Sequence, residues 1–272
     1  MKRIELLVIL FLMSVGITEA QKDFKQSLSG VNYVKIEMDA KIKLVAGGSS
    51  ELVISENKDD DNHDHDYDYD SDEDKQKKND KMKGMKPIYA GGVDNTGFGL
   101  SVEKDGDVLE IRDLKSWMQR GSVTITLPKT MNVMLDCGNL GKADVEGFTS
   151  EVEVNANVGH INLSNVTGPV TAHTSTGAIT VEFSNVNQGS PISISSSTGD
   201  VDVTLPTSTK ADLEMNSSMG TIYTDFDLET PRSDGMKRIG AIRKIERKLN
   251  NGGVKIALRS STGNVYLRKA KN

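Results

Sequence analysis

The sequence predicts an all-β protein that forms a single-stranded β-helix, a β-solenoid whose coils hold about 20 residues. Three observations support this fold class. Apolar and polar residues alternate on both sides of a recurring glycine, which indicates two short strands with one buried face each. The glycines recur at steps of 18, 18, 22, 21 and 43 residues, and steps near 20 are typical of one coil. Tight Asn-Gly or Asp-Gly turns, which would indicate hairpins, are scarce.

The repeat consists of an alternating apolar segment, a few small polar residues, a glycine and a second alternating segment. One copy has Val170 and Ala172 before Gly177, and Ile179 and Val181 after it. Because glycine adopts positive φ without steric cost, we expect it at the bend between the two strands. Asn or Ser stands two positions before each glycine, where it favours a turn and predicts a polar ladder at one corner. The predicted structural turn positions are Gly159, Gly177, Gly199, Gly220, Gly263, Asn157, Ser175, Ser197, Ser218 and Ser261, with a degenerate copy at Asn139 and Gly141.

The beginning of the chain predicts export. A basic start, an apolar run from Ile4 to Val15 and a small-residue cleavage site indicate that residues 1–20 are a signal peptide. The apolar run is too short to span a bilayer. Residues 21–272 are predicted to be a single β-solenoid domain with two insertions, at 58–86 and 225–252.

Composition narrows the class of protein further. The net charge of −6 is modest and argues against a nucleic-acid partner. The chain has one cysteine, Cys137, so an internal disulfide is excluded. Cys137 lies among apolar strand residues, and we interpret it as a small buried group.

The first insertion, residues 58–86, is acidic and then lysine-rich. Its lack of apolar residues predicts a disordered surface excursion. Carboxylates and imidazoles bind divalent cations, so the segment is also a candidate metal site. It lacks the glycine and the distal glutamate of an EF-hand loop, and the alternative is a solvated charge run. The candidate ligands are Asp61, His63, Asp64, His65, Asp66, Asp68 and Asp70.

The second insertion, residues 225–252, predicts a turn and then a short basic amphipathic helix from Met236 to Leu249. Isoleucines and Leu249 mark its apolar face, and six lysines and arginines mark the other face. Such a helix suits an anionic partner, a membrane surface or the protein's own acidic segment. Alternatively, it covers a flank or an end of the solenoid.

No catalytic constellation and no cofactor site stand out. The chain contains no Gly-x-Ser-x-Gly elbow, no His-Glu-x-x-His and no phosphate-binding glycine loop. His160 and His173 are expected to point outward from their coils. A carbohydrate-active β-helix enzyme would need acidic residues converging on one outer face, and the candidates are Asp144, Asp200 and Asp202.

The copies Thr174–Val181, Ser196–Val203 and Ser260–Leu267 resemble the coils of bacterial families provisionally named as adhesins. These families are DUF4097 and DUF2807, the auto-transporter adhesin head GIN domain. The resemblance extends over most of residues 31–268, apart from the two insertions. It implies a β-helix in an exported bacterial protein, and it supplies no catalytic or binding residues.

We therefore expect a non-catalytic, exported β-solenoid that is periplasmic, secreted or displayed at the cell surface. Its expected role is that of an adhesin-like or scaffold protein whose flat strand faces bind a protein or a glycan. The alternatives are a carbohydrate-active β-helix enzyme and an envelope metal-binding module that uses the Asp/His segment.

Overall fold

A computed structural model describes residues 23–56, 81, 83–85, 87–115, 122–228 and 243–271. Within this part of the chain, 20 β-strands form two sheets of ten strands each, which confirms the predicted β-solenoid. None of the described residues belongs to a helix that is long and apolar enough to cross a membrane.

The first sheet, sheet 1, holds the strands that follow the repeat glycines. In spatial order it consists of β1 (Phe24–Ser27), β4 (Glu51–Glu56), β7 (Val123–Pro128), β3 (Lys41–Gly47), β9 (Lys142–Glu146), β11 (Ile161–Val166), β13 (Ile179–Phe183), β15 (Val201–Leu205), β20 (Val265–Lys269) and β17 (Ile222–Thr224).

The second sheet, sheet 2, holds the strands that precede these glycines. In spatial order it consists of β5 (Leu100–Asp105), β6 (Val108–Asp113), β2 (Tyr33–Glu37), β8 (Asn132–Asp136), β10 (Val152–Val158), β12 (Val170–Thr176), β14 (Ile192–Thr198), β19 (Val254–Ser260), β16 (Ala211–Ser217) and β18 (Arg243–Leu249).

Each coil contributes one strand to each sheet, and neighbouring coils pair in parallel. The register joins equivalent repeat positions, so that Ile161 lies beside Ile179 and Ile179 beside Val201. Antiparallel pairs occur only near the two ends of the described stack, between β1 and β4, β4 and β7, β5 and β6, and β16 and β18. The parallel stacking aligns the repeats along one axis.

The order of coils in space differs from the order in sequence at both ends. The last coil, β19 and β20, lies between the coil of β14 and β15 and the coil of β16 and β17. Likewise the first coil, β2 and β3, lies between the coil of β6 and β7 and the coil of β8 and β9. The central coils stack in sequence order, and both terminal coils are intercalated.

The core fills the space between the two sheets. Alternate residues of each strand point inward, and Val170, Ala172, Ile179 and Val181 of one coil are at most 1% exposed. At roughly 25 cal/mol per Å² of buried apolar area, this continuous core is the main stabilising contribution. It leaves the opposite faces of both sheets open to solvent.

The repeat glycines line one edge of the stack, which we call the glycine corner. Here the chain passes from sheet 2 to sheet 1, and each glycine packs against the glycine of the adjacent coil. A Cβ placed on Gly159 would lie 1.8 Å from the carbonyl oxygen of Gly141, and one on Gly177 would lie 2.0 Å from that of Gly159. The same contact joins Gly199 to Gly177, Gly263 to Gly199, and Gly220 to Gly263.

Two physical reasons therefore require glycine at this corner. Gly177 and Gly199 have φ of 147° and 140°, as expected for a bend that disfavours side chains. The remaining repeat glycines do not have positive φ, and the close approach of the neighbouring backbone alone excludes a Cβ there.

The predicted helix from Met236 to Leu249 is wrong over its second half. Residues 236–242 lie outside the described residues, but Arg243–Leu249 forms β18, which pairs antiparallel with β16 from Ala211↔Leu249 to Ser217↔Arg243. Ile245 and Leu249 are four residues apart, and this spacing places two side chains on one face of a strand as well as on one face of a helix. The segment forms a strand because the edge of β16 offers backbone hydrogen-bond partners that an isolated helix would not use.

Candidate functional site

The candidate metal ligands Asp61, His63, Asp64, His65, Asp66, Asp68 and Asp70 lie outside the described residues. The cation hypothesis therefore stays a prediction. Among the residues that the structure does describe, no group of three or more His, Cys, Asp or Glu side chains is arranged to hold a metal ion.

The small polar residues two positions before each glycine form an exposed row along the glycine corner. Asn157 donates a hydrogen bond from Nδ2 to Oδ1 of Asn139 in the adjacent coil, at 2.8 Å. Ser175, Ser197 and Ser261 continue the row and are exposed to solvent.

A second row, one residue earlier, was missed by the sequence analysis. Thr174, Ser196, Ser260 and Ser217 are buried, and each hydroxyl donates to the carbonyl oxygen of a glycine in the adjacent coil. Ser196 Oγ, for example, lies 2.9 Å from the Gly177 oxygen. A carbonyl removed in part from solvent needs a hydrogen-bond partner, so this hydroxyl row is part of the corner's structure. The signal was present as Ser or Thr three positions before four of the glycines.

The two histidines of the repeats lie on the surface, whereas the cysteine is buried. His160 and His173 are exposed, and each hydrogen-bonds to the adjacent coil, at Ala178 N and Ser195 Oγ respectively. Cys137 is fully buried, and burial raises the pKa of its thiol to about 12. Its thiol therefore stays protonated at neutral pH.

The three candidate acidic residues of an enzyme do not share partners. Asp144 accepts from Asn162 Nδ2 at 2.7 Å, and Asp200 accepts from Asn264 N at 2.7 Å. Asp202 binds an arginine instead. Asp144 and Asp202 lie three strands apart in sheet 1, about 14 Å at the usual strand spacing. That separation exceeds the roughly 5–9.5 Å between the carboxyl groups of most glycosidases. Asp200 and Asp202 are only two residues apart, but each is engaged by a different partner.

The most distinctive described surface lies on the outer face of sheet 1, where β15, β20 and β17 end the stack. We call its four side chains, Asp202, Tyr223, Tyr266 and Arg268, the tyrosine–arginine cluster. Parallel pairing places Tyr223 beside Tyr266 and Tyr266 beside Asp202. Arg268 is two residues after Tyr266 and therefore shares its face.

The two tyrosine rings are stacked. Their centroids are 5.2 Å apart and their planes differ by 12°. The guanidinium carbon of Arg268 lies 5.0 Å from the Tyr266 ring centroid, a cation–π distance. Tyr223 stays 50% exposed because β17 is the last described strand of sheet 1. The stack thus presents an aromatic surface to solvent.

An ion pair fixes the arginine beside this surface. Arg268 Nε lies 2.7 Å from Asp202 Oδ1, and Nη2 lies 2.8 Å from Oδ2, which is bidentate geometry. These hydrogen bonds raise the pKa of Arg268 above its ordinary value. The Arg268 side chain is nevertheless 52% exposed, so the oriented guanidinium faces solvent.

A residue of the glycine corner, Asn264, hydrogen-bonds to the cluster and to the adjacent coil. Asn264 donates from Nδ2 to the Tyr266 hydroxyl at 3.1 Å, and its Oδ1 accepts from Thr221 N at 2.9 Å. The residues of the cluster therefore come from three coils. They are adjacent because the last coil lies between the two coils that precede it in the sequence. The repeat pattern of the sequence contains no signal of that order.

Comparison with known families gives a clear assignment. The family described as Toastrack DUF4097 matches residues 75–268, which is most of the chain. The protein belongs to the Toastrack DUF4097 family. The resemblance of its repeats to DUF4097 is thereby confirmed, and the matched region of this Toastrack protein includes the glycine corner and the tyrosine–arginine cluster.

Two solved structures are similar to this Toastrack chain. A provisionally assigned cell adhesion protein from Clostridium sporogenes is 11% identical with a TM-score of 0.48, and the match covers 92% of this chain and 100% of that chain. A provisionally assigned adhesin from Bacteroides fragilis is 13% identical with a TM-score of 0.39, and the match covers 93% and 98% of the two chains. A search of the curated proteins found no match.

Proposed function

We propose that this Toastrack protein is an exported, non-catalytic, adhesin-like binding protein of the bacterial envelope, and that its tyrosine–arginine cluster contacts a glycan. The observation that carries the proposal is the exposed stack of Tyr223 and Tyr266 beside the ion pair of Arg268 and Asp202. The signal-peptide pattern of residues 1–20 supports export.

The chemistry of a sugar ring matches this surface. One face of a sugar carries C–H groups that pack on an aromatic ring, and its rim carries hydroxyls that need donors and acceptors. Tyr223 offers the ring, and it is the outermost aromatic residue of the described sheet. Tyrosine combines a large apolar face with a polar hydroxyl, which suits a ligand that is apolar on one side and polar and hydrated on the other.

The ion pair supplies the polar part of the site. An arginine that is already oriented by a carboxylate loses little side-chain freedom when it binds a ligand. The hydrogen bonds to Asp202 use Nε and Nη2, so the donors of Nη1 point elsewhere. A hydroxyl or carboxylate on the sugar would complete this site, and no covalent step is needed.

The test is a glycan-array screen of the chain from Gln21, followed by calorimetric titration of the best-bound oligosaccharide. Tyr223→Ala should weaken binding about tenfold, because an aromatic contact contributes about 0.5–1.5 kcal/mol beyond area burial. Thr124→Ala is the control, since Thr124 lies in the outward row of sheet 1 but on β7, seven strands from β17. Equal affinity of the Tyr223→Ala and wild-type proteins would refute the assignment of the cluster.

A further inference from the structure

The two insertions emerge at opposite ends of the solenoid. Residues 57–99 connect β4 to β5, which lie at one end of sheets 1 and 2 respectively. Residues 225–242 connect β17 to β18, which lie at the other end of the same sheets. Each of these connections therefore joins a strand of sheet 1 to a strand of sheet 2 at one end of the stack.

The charges of these two regions are opposite. Residues 59–74 contain ten acidic side chains and no lysine or arginine. Residues 237–248 contain six lysines and arginines and one glutamate. We call the two ends the acidic end and the basic end. The net charge of −6 conceals this separation, which only the order of the strands reveals.

At the basic end, β18 is the last described strand of sheet 2, and its outer face carries Lys244, Glu246 and Lys248. Two more cations, Lys255 and Arg259, lie on β19 and bind Glu214 at 3.0 and 2.7 Å. Hydrogen bonds from Arg259 and Lys255 lower the pKa of Glu214 to about 2, so it remains ionised.

The charge count favours an anionic ligand on this face. Lys244, Lys248, Lys255 and Arg259 are accompanied by three carboxylates, those of Asp212, Glu214 and Glu246. The surrounding strands thus keep an excess of positive charge at the sheet edge. Among the described residues, β18 pairs only with β16, and its other edge has no described strand beside it.

The corresponding edge of sheet 2 at the acidic end is closed by a side chain. Asn95 donates from Nδ2 to the Val102 carbonyl at 2.7 Å, and its Oδ1 accepts from Val102 N at 2.9 Å. The amide thereby imitates a paired strand at the middle of β5. An additional strand is blocked at β5, whereas basic side chains at β18 select an acidic one.

The acidic insertion contains a segment with the pattern of such a strand. From His63 to Asp70, aspartates alternate with His63, His65, Tyr67 and Tyr69. In an extended conformation, the four aspartates share one face and the four ring-bearing residues share the other. Beside β18, the aspartates would lie on the face of Lys244, Glu246 and Lys248, where Lys244 also binds Glu246 at 2.6 Å, and the rings would lie on the face of the half-buried Ile245.

We propose that residues 63–70 of one copy add as an edge strand to β18 of a second copy, so that copies associate head to tail. The contact joins unlike surfaces, one from each end of the molecule. Heterologous contacts form rings where the rotation between copies closes and open chains where it does not, and two contact surfaces at opposite ends of the stack favour open chains. The occupant of the basic end is thus the acidic segment of this same protein.

The geometry selects a second copy over the same chain. β4 and β18 are separated by about nine strand spacings along the stack, which is about 43 Å at 4.8 Å per strand. Asp66 is ten residues from Glu56, and ten fully extended residues span at most about 36 Å. The centre of the acidic segment therefore does not reach β18 of its own chain.

The test uses two complementary variants of the chain from Gln21. Variant one carries Asp64→Asn, Asp66→Asn, Asp68→Asn and Asp70→Asn, which removes the acidic segment's charge and keeps the basic end. Variant two carries Lys244→Glu and Lys248→Glu, which removes the positive charge of the basic end and keeps the acidic segment. The control carries Lys25→Glu and Lys129→Glu, the same charge change at exposed positions away from β18.

Sedimentation velocity should show concentration-dependent chains for the wild-type and control proteins in about 0.1 M salt. These chains should dissociate in about 1 M salt, where charges are screened within about 3 Å. Each complementary variant alone should be monomeric, with affinity lowered on the order of tenfold or more. An equimolar mixture of the two should form heterodimers and nothing larger, because only one intact pair of surfaces remains.

Three results would overturn the proposal. The first is a wild-type protein that stays monomeric at high concentration in low salt. The second is a mixture of the two variants that remains monomeric. The third is an equal loss of association in the control variant, which would attribute the effect to net charge. Circular dichroism of every variant establishes that the solenoid is intact before association is compared.

Discussion

The two corners of the solenoid are built in opposite ways. At the glycine corner, two residues separate the strands of the three central coils, at 159–160, 177–178 and 199–200. At the opposite corner, where the chain returns to sheet 2, the connections range from three residues, at 167–169, to eight, at 184–191. In these three central coils the glycine corner has a constant length, and the opposite corner carries the variation in coil length.

The difference follows from what lies beside each connection. At the glycine corner, the backbone of one coil touches the backbone of the next, and buried hydroxyls bind the intervening carbonyls. At the opposite corner, coils are joined by backbone bonds such as Asn187 N to Thr167 O, at 2.8 Å, and the chain can bulge outward between them. Surface connections tolerate added length at a small entropic cost.

The strongest test of this comparison is a methyl group placed at the glycine corner. We expect Gly159→Ala and Gly199→Ala each to lower the free energy of unfolding by more than about 3 kcal/mol, because the Cβ meets a backbone carbonyl at 1.8 or 2.1 Å. Chemical denaturation of the purified variants measures the change.

Gly189→Ala is the matched control at the opposite corner. A Cβ there meets only the end of the Asn187 side chain, at 3.1 Å, and we expect a change within about 0.5 kcal/mol. The pair at the glycine corner also separates two causes, since Gly199 has positive φ and Gly159 does not. A tolerated Gly159→Ala would show that φ, and not close approach, requires glycine.

A smaller effect is expected from the hydroxyl row. Ser196→Ala removes the hydrogen bond to the Gly177 carbonyl and leaves that part-buried acceptor without its hydroxyl partner, so stability should fall by about 1–3 kcal/mol. Ser193→Ala, on the outer face of the same strand, should cost less than about 0.5 kcal/mol. Thermal unfolding of both variants compares them directly, and equal midpoints would remove the hydroxyl row from the explanation.

The smallest expected effect is an increase in the free energy of unfolding. Ala156 occupies the row position of Ser196 in its own coil, and it has no hydroxyl to offer the Gly141 carbonyl. Ala156→Ser restores the pattern and should stabilise the protein by about 0.5–1.5 kcal/mol. A small rise in the denaturation midpoint would support the row as a transferable element. A fall would mean that the carbonyl of Gly141 is already satisfied or that the site lacks room.

The strands of the central coils were predictable because each signal is local. Alternation from Val170 to Ala172 and from Ile179 to Val181 fixes which residues face inward, and Gly177 marks the bend between them. The helix was mispredicted because Ile245 and Leu249 satisfy a helical period as well as an alternating one. Only the free edge of β16 selects the strand.

The tyrosine–arginine cluster was not predictable for a different reason. Tyr223 and Tyr266 are far apart in sequence, and each is an ordinary outward position of its own strand. The buried hydroxyl row, in contrast, is visible in the sequence as a recurrent Ser or Thr, although only the contact between coils shows that these hydroxyls bind carbonyl groups. The repeats in the sequence show which positions are equivalent in each coil, and the pairing of strands shows which side chains those positions contact.

Period-two alternation and regularly spaced glycines are properties of single strands and bends, so the amino-acid pattern is sufficient to predict stacked coils. The tertiary structure alone decided which coils are neighbours. Parallel pairing depends on backbone groups that all coils share, so the repeats permit several orders, and the first and last coils are both intercalated. That order places Tyr223 on Tyr266 and the opposite charges at opposite ends, since both arrangements depend on which strand lies beside which.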